Sequence, residues 1–203
     1  NSKIQIGRYL TPFIYFSVSA GLFLSLFSEE MIFLLAPESY RGAVDVIIVL
    51  SMFYVSLFFG KIPQLVYAKK FLLISLLSFF NIFLNVSVNL LFVFQWGTIG
   101  AAWGTFLSGL FSTLLYLRIS QKYYPVKWEY FKITVIYSIM FISSITLLVM
   151  RFNNIDYEIK LLFKSISIII FLSAGIKYKI ITRENIIILL RILKFHYPAQ
   201  GEK

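Results

Sequence analysis

Three asparagines, Asn81, Asn85 and Asn89, recur at every fourth position in a run otherwise made of Phe, Leu, Ile and Val. At about 3.6 residues per turn this spacing sets the three amides on one helical face, and Ser78 joins the same stripe. An amide turned toward hydrocarbon costs several kcal/mol, ~2–7 by transfer measurements, so the stripe must meet another helix or a wet cavity. The chemistry on offer is neutral hydrogen bonding. It serves either as packing between helices, at about 0.6 kcal/mol per contact, or as the wall of a path for a polar solute, and both readings stand. Asp45 opens another apolar run, and Lys61 and Gln64 flank Pro63 where that run ends. Within the membrane Asp45 would mark an ion or substrate path; at head-group level it would be solvated. Lys61 can reach the boundary along its alkyl stem. Asn81, Asn85, Asn89, Asp45, Lys61 and Gln64 are the substrate-path candidates.

Catalytic patterns are not found. Cysteine is absent and His196 is the single histidine, which leaves no thiolate, metal cluster or triad. Glu29 and Glu30 are neighbours, about 100° apart around a helix, and so do not form a facing acid–base pair. The expectation is a protein that is not an enzyme, with no cofactor and no metal. The segment after the asparagines speaks of packing instead. Gln95-Trp96-Gly97 allows only a tight reversal, for which Gly97 can take a positive φ. Gly100 and Gly104 form a GxxxG pair that Ser108 and Ser112 continue, a small face along which another helix can approach closely.

The elements that carry these residues follow from composition. Of 203 residues 59% are hydrophobic and only 14% charged, with a mean hydropathy of +0.83, against about 25% charged in soluble chains. The chain reads as an integral membrane protein, all-α, because a lipid-exposed backbone must satisfy its own hydrogen bonds. Runs near the ~20 residues of a crossing predict six transmembrane helices, over about 10–27, 44–60, 71–94, 98–117, 131–150 and 161–176. Pro12 falls in the first turn of the first. Glu29 and Glu30 are expected at the boundary, with Lys164 reaching outward from the last span. Residues 1–176 form the membrane domain. Residues 177–203 are expected as a cytoplasmic amphipathic helix and tail, either on the inner leaflet or packed on the membrane domain.

With the N-terminus cytoplasmic, fifteen of the nineteen Lys and Arg residues fall on inner segments, and six of the nine acids lie on the outer side. This imbalance predicts both ends in the cytoplasm. It also accounts for the net charge of +10 without a nucleic-acid partner. The chain opens on Asn1 with no signal-peptide pattern, and a fragment of a longer protein is expected.

The segment from Ala36 to Leu117 resembles the C-terminal half of the polysaccharide-export flippases, the Wzx-type transporters of the multidrug/oligosaccharidyl-lipid/polysaccharide (MOP) superfamily. Three pieces carry the resemblance: the turn Pro37-Glu38-Ser39-Tyr40-Arg41-Gly42-Ala43, the basic loop Ala68-Lys69-Lys70, and Asn81, Asn85 followed by the hairpin from Phe92 to Gly97-Thr98-Ile99-Gly100-Ala101-Ala102. The family's usual proline at that hairpin is missing, and Ala36-Pro37 replaces the glycine before the tyrosine. The resemblance implies the second of two pseudo-symmetric lobes in a bacterial inner-membrane protein. Its implied substrate is an undecaprenyl-diphosphate-linked oligosaccharide, flipped for O-antigen, capsule or exopolysaccharide assembly, and its implied partners are the bilayer and a missing N-terminal lobe. The competing expectations are a cation-coupled multidrug exporter of the same superfamily, with Asp45 as the membrane acid, and a membrane polysaccharide polymerase, which would need a larger loop bearing acids, histidines or arginines.

Overall fold

The computed structural model describes residues 2–58 and 64–182. Among the described residues every regular element is a helix and no strand occurs. The order is α1 (Ser2–Leu26), α2 (Ser28–Leu35), a 3-10 turn (Glu38–Tyr40), α3 (Ala43–Ser56), the single turn α4 (Gln64–Tyr67), α5 (Phe71–Tyr123), α6 (Tyr130–Phe152) and α7 (Tyr157–Lys177). By length and composition α5, α6 and α7 can each cross a membrane, and α1 with α2 make a fourth if the pair is one span bent by 62°. α3 is apolar but only 14 residues long. Several long apolar helices are what a multi-pass membrane protein requires. Lys61 and residues 183–203 of the expected cytoplasmic helix lie outside the described residues.

Several helix ends differ from the sequence expectation. α1 begins at Ser2, so Pro12 sits well inside it rather than in its first turn. There the ring removes one backbone donor, a cost that surrounding packing has to offset. α3 ends at Ser56, and residues 59–60 of the expected span lie outside the described residues. α7 begins at Tyr157, before the expected start at 161, and carries both Lys160 and Lys164 inside the helix. Their charges lower the local hydropathy, which is why an apolar-run criterion starts the element late.

α5 contains two helices. Gly97 alone leaves helical geometry, at φ 59° and ψ −135°, a region open to glycine and closed to almost everything else. The chain doubles back there. Gly100 comes so close to the Phe92 carbonyl that a Cβ would lie 2.0 Å from its oxygen, although eight residues of straight helix would span about 12 Å. The arms 71–96 and 98–123 therefore lie antiparallel, joined by the tight turn that Gln95-Trp96-Gly97 predicts.

The core is built around α1. Its residues Ile14, Val18, Leu22 and Leu26 follow one i, i+4 stripe and are buried, with Ile48, Val49 and Met52 of α3 and Ile136, Met140 and Leu147 of α6 in the same cluster. Tyr15 stacks on Phe171 of α7 at 4.6 Å between ring centroids and donates its hydroxyl to the Phe171 carbonyl at 3.2 Å. The second arm of α5 packs on α3, with Phe53 covering Gly109. The first arm lies outside it and exposes large apolar side chains, Phe79, Phe83 and Phe94 among them, the last 87% exposed. In water such a face would aggregate; in a bilayer it faces acyl chains.

Cross-helix contacts show which ends share a side of the bundle. Gly7 of α1 touches the Lys127 carbonyl between α5 and α6, and Gln64 and Tyr67 of α4 meet Tyr124. At the other side the α1–α2 break, the start of α3, the end of α6 and the start of α7 converge through Glu29, Asp45, Arg151 and Lys160. The first of these sides is the basic end and the second the acid-rich end. This alternation is what a chain that crosses back and forth requires.

Candidate functional site

The asparagine stripe lies on the first arm of α5 and turns toward the second. Asn85 donates to Ser108 Oγ at 2.9 Å, and Asn89 donates to Asn85 Oδ1 at 3.0 Å and to Thr105 Oγ1 at 3.2 Å. Ser108 in turn donates to the Gly104 carbonyl at 2.7 Å. The result is a ladder of neutral groups between two antiparallel helices. The small residues make it possible. A Cβ on Gly104 would lie 2.4 Å from Asn89 Oδ1 and 3.0 Å from Asn89 Cα, so any side chain there would force the arms apart. Gly97 turns the chain, and Gly100, Gly104 and Ser108 lie where the arms close on the amides.

Asn81 is placed differently. It is exposed and lines a cleft of about 280 Å³ that it shares with Ser78, Asn85, Ser112 and Tyr116 of α5 and with Phe53 of α3. Ser112 Oγ is buried there without a hydrogen-bond partner among the described residues. The stripe therefore divides: Asn85 and Asn89 join the arms, while Asn81 and the open edge of Asn85 border the cleft, whose wall also includes Phe53, Leu57, Leu77 and Phe80. Amides and hydroxyls of this kind can bind hydroxyl, amide or water, donating and accepting at will. Helices that hold such groups apart offer a polar ligand a hydrogen-bonded place inside an otherwise apolar wall.

Of the remaining candidates, Gln64 and Asp45 are not brought to this cleft, and Lys61 lies outside the described residues. Gln64 on α4 is 2% exposed and donates to the Tyr124 carbonyl at 2.7 Å, tying α4 to the end of α5. Asp45 lies at the acid-rich end, where its Oδ1 accepts from Arg151 Nε at 2.6 Å. Arg151 also contacts Glu29 Oε1 at 2.9 Å, and Lys160 contacts the same oxygen at 2.8 Å. Lys164 reaches Glu30 Oε1 at 2.6 Å and Glu29 Oε2 at 3.6 Å, while Tyr157 donates to Glu30 Oε1 at 3.0 Å. Lys164 is 0% exposed, which corrects the expectation that it extends to the surface. Two acids within its reach make the buried position cheaper than snorkelling. A second expectation changes with it. Glu29 and Glu30 do not face each other, yet both belong to one cluster, because Lys164 bridges them.

Arg151, Lys160 and Thr105 are not among the candidates that the sequence offers, and Lys164 is there only as a residue reaching outward. A usable signal existed for the lysines, whose i, i+4 spacing puts two like charges on one helix face and calls for acids opposite. For Thr105 the signal was its position one residue after the GxxxG pair. No protein-family model, no curated protein and no solved structure matches this chain.

Proposed function

We propose that the chain is one lobe of a membrane transporter that flips lipid-linked oligosaccharide repeat units across the bacterial inner membrane. The observation that carries this reading is the cleft bordered by Ser78, Asn81, Asn85 and Ser112 within an apolar helix assembly. Its amides and hydroxyls suit those of a sugar, and two of the residues that border it, Asn81 and Asn85, are among those on which the flippase resemblance rests. In this reading α1 with α2, α3, the two arms of α5, α6 and α7 supply six crossings. Each arm of α5 has more than the ~20 residues that a crossing takes. The basic end faces the cytoplasm, and an N-terminal lobe on another part of the protein completes the path. The cation-coupled exporter reading relies on Asp45, and the pairing of Asp45 with Arg151 leaves that acid engaged in structure rather than poised for an ion.

The test is complementation. The gene encoding this chain, in its full coding length, is introduced into a flippase-null strain whose surface polymer is scored. Restored polymer that is lost again with Asn81→Leu is the expected result. A gene whose deletion in its own host leaves surface polymer at the wild-type level would end the proposal.

A further inference from the structure

The described ion pairs that join separate helices gather at one end of the bundle, and they join four of them. Glu29 and Glu30 lie on α2, Asp45 on α3, Arg151 on α6, and Lys160 and Lys164 on α7. Three carboxylates face three cations, so the cluster is neutral as a whole. Each member holds at least one partner on another helix. Lys164 is also placed against the bend itself: its Nζ lies 6.0 Å from the Phe27 ring centroid and 5.6 Å from that of Tyr157. Phe27 is the residue between α1 and α2, where the path turns by 62°.

Among the described residues the basic end has no ion pair between separate helices; beside a Lys70–Tyr123 cation–π contact at 5.3 Å and the local Lys132–Glu129 pair, it is tied by amides. Gln64 donates to the Tyr124 carbonyl, and Gln121 clasps the Val126 backbone with both its amide atoms, at 2.8 and 3.1 Å. These are neutral bonds to main chain, two of them within a single loop. An amide that loses its carbonyl, even one as buried as Gln64, leaves only a neutral dipole unpaired. A buried ammonium that loses its carboxylate leaves a full charge in a dry place, a larger cost.

We infer that the Glu29–Glu30–Asp45–Arg151–Lys160–Lys164 cluster is a latch that fixes the acid-rich end of the bundle and the bend at Phe27, so that the helices part at the basic end. The inference concerns the helix bundle itself and does not depend on which substrate it serves. Any displacement of α2 away from α7 takes Glu30 from Lys164 and leaves a fully buried cation unpaired. Rotation of α6 takes the Arg151 guanidinium from Asp45 and Glu29 together, leaving Asp45 without its partner while Glu29 keeps Lys160.

Hydrogen–deuterium exchange on the full chain in lipid nanodiscs tests this. In Lys164→Met, the amides of residues 28–45 and 151–165 are expected to exchange roughly tenfold faster or more than in the native protein, while those of 98–118 stay within about twofold. The charge exchange Glu30→Lys with Lys164→Glu should bring the rates back toward native. Unchanged exchange over 28–45, equal acceleration in every helix, or a failure of the exchanged pair to restore protection would each overturn the latch. Should Lys164→Met not fold, Glu30→Gln keeps the shape of its side chain and is read by the same criteria.

Discussion

Replacing Thr105 with valine removes one hydroxyl from between the arms of α5 with almost no change of shape. Thr105 Oγ1 accepts from Asn89 Nδ2 at 3.2 Å and stands 3.4 Å from Asn89 Oδ1. The first distance is at the long edge of a good N–H···O bond and the second beyond it, so this contact belongs at the average for helix contacts in membranes, about 0.6 kcal/mol, rather than near the maximum of about 1.7. Asn89→Leu removes more, since Asn89 also donates to Asn85 Oδ1 at 3.0 Å. Its net cost is hard to interpret alone, because leucine gains from the apolar surroundings. The double-mutant cycle of Thr105→Val with Asn89→Leu isolates the pair. A coupling of about 0.5–1 kcal/mol is expected, measured by reversible unfolding of the full chain in mixed micelles. A cycle that closes at zero would mean that the Asn89 amide does not face the second arm, and the ladder of amides and hydroxyls would fall with it.

Four further outcomes follow from the same geometry. Gly97→Ala should destabilise the hairpin by about 1–3 kcal/mol through backbone strain alone, because a Cβ there would meet no atom within 4 Å; unfolding midpoints read it, and Gly97→Asn should cost less. Gly104→Ala should cost a similar ~1–3 kcal/mol by overpacking instead, and spin labels on the two arms should report that they have moved apart. Lys164→Met should lower stability by about 3 kcal/mol or more, since it leaves Glu30 without its main partner, whereas Lys160→Met should cost less because Arg151 still contacts Glu29 at 2.9 Å. Tyr15→Phe should cost about 0.5–1.5 kcal/mol, the worth of one hydrogen bond, with the Phe171 stack retained.

Local patterns were readable where their partners lie nearby in sequence. The spacing of Asn81, Asn85 and Asn89 and of Gly100, Gly104 and Ser108 located a helical hairpin, because both faces of that contact sit within about two dozen residues and the turn between them is short. What the pattern left open was which amides bond and which stay free. Asn85 and Asn89 come level with Ser108 and Thr105 across the arms, but Asn81 falls one turn further from the hairpin, where the cleft opens. The cluster at the acid-rich end could not be read this way. Glu29 and Lys160 are separated by 131 positions, and nothing local in either segment names the other. The same lysines that hold the cluster also concealed the start of α7, since charge that is paired in the fold counts as solvated in a hydropathy scan.

The two polar regions differ in chemistry as well as in place, and the difference follows from what each depth tolerates. The polar groups of the cleft in α5 are amides and hydroxyls set among apolar side chains such as Leu77 and Phe80, and their transfer from water costs a few kcal/mol when unpaired and less when they find one another. Such a surface can be wet or dry in turn, which the proposed path for a sugar would require. Full charges are far dearer away from water, and here they sit at helix ends with opposite charges in contact. The Arg151 side borders an open cavity of about 390 Å³ that Arg41 also lines, while the Lys164 side is closed. Charge is thus used where geometry must persist, and neutral polarity where contacts must change partners. A chain that reversed this assignment, with an ion pair at Asn81 and a lone amide at Lys164, would strand a charge whenever the cleft opened and would lose its hold on the bend at Phe27.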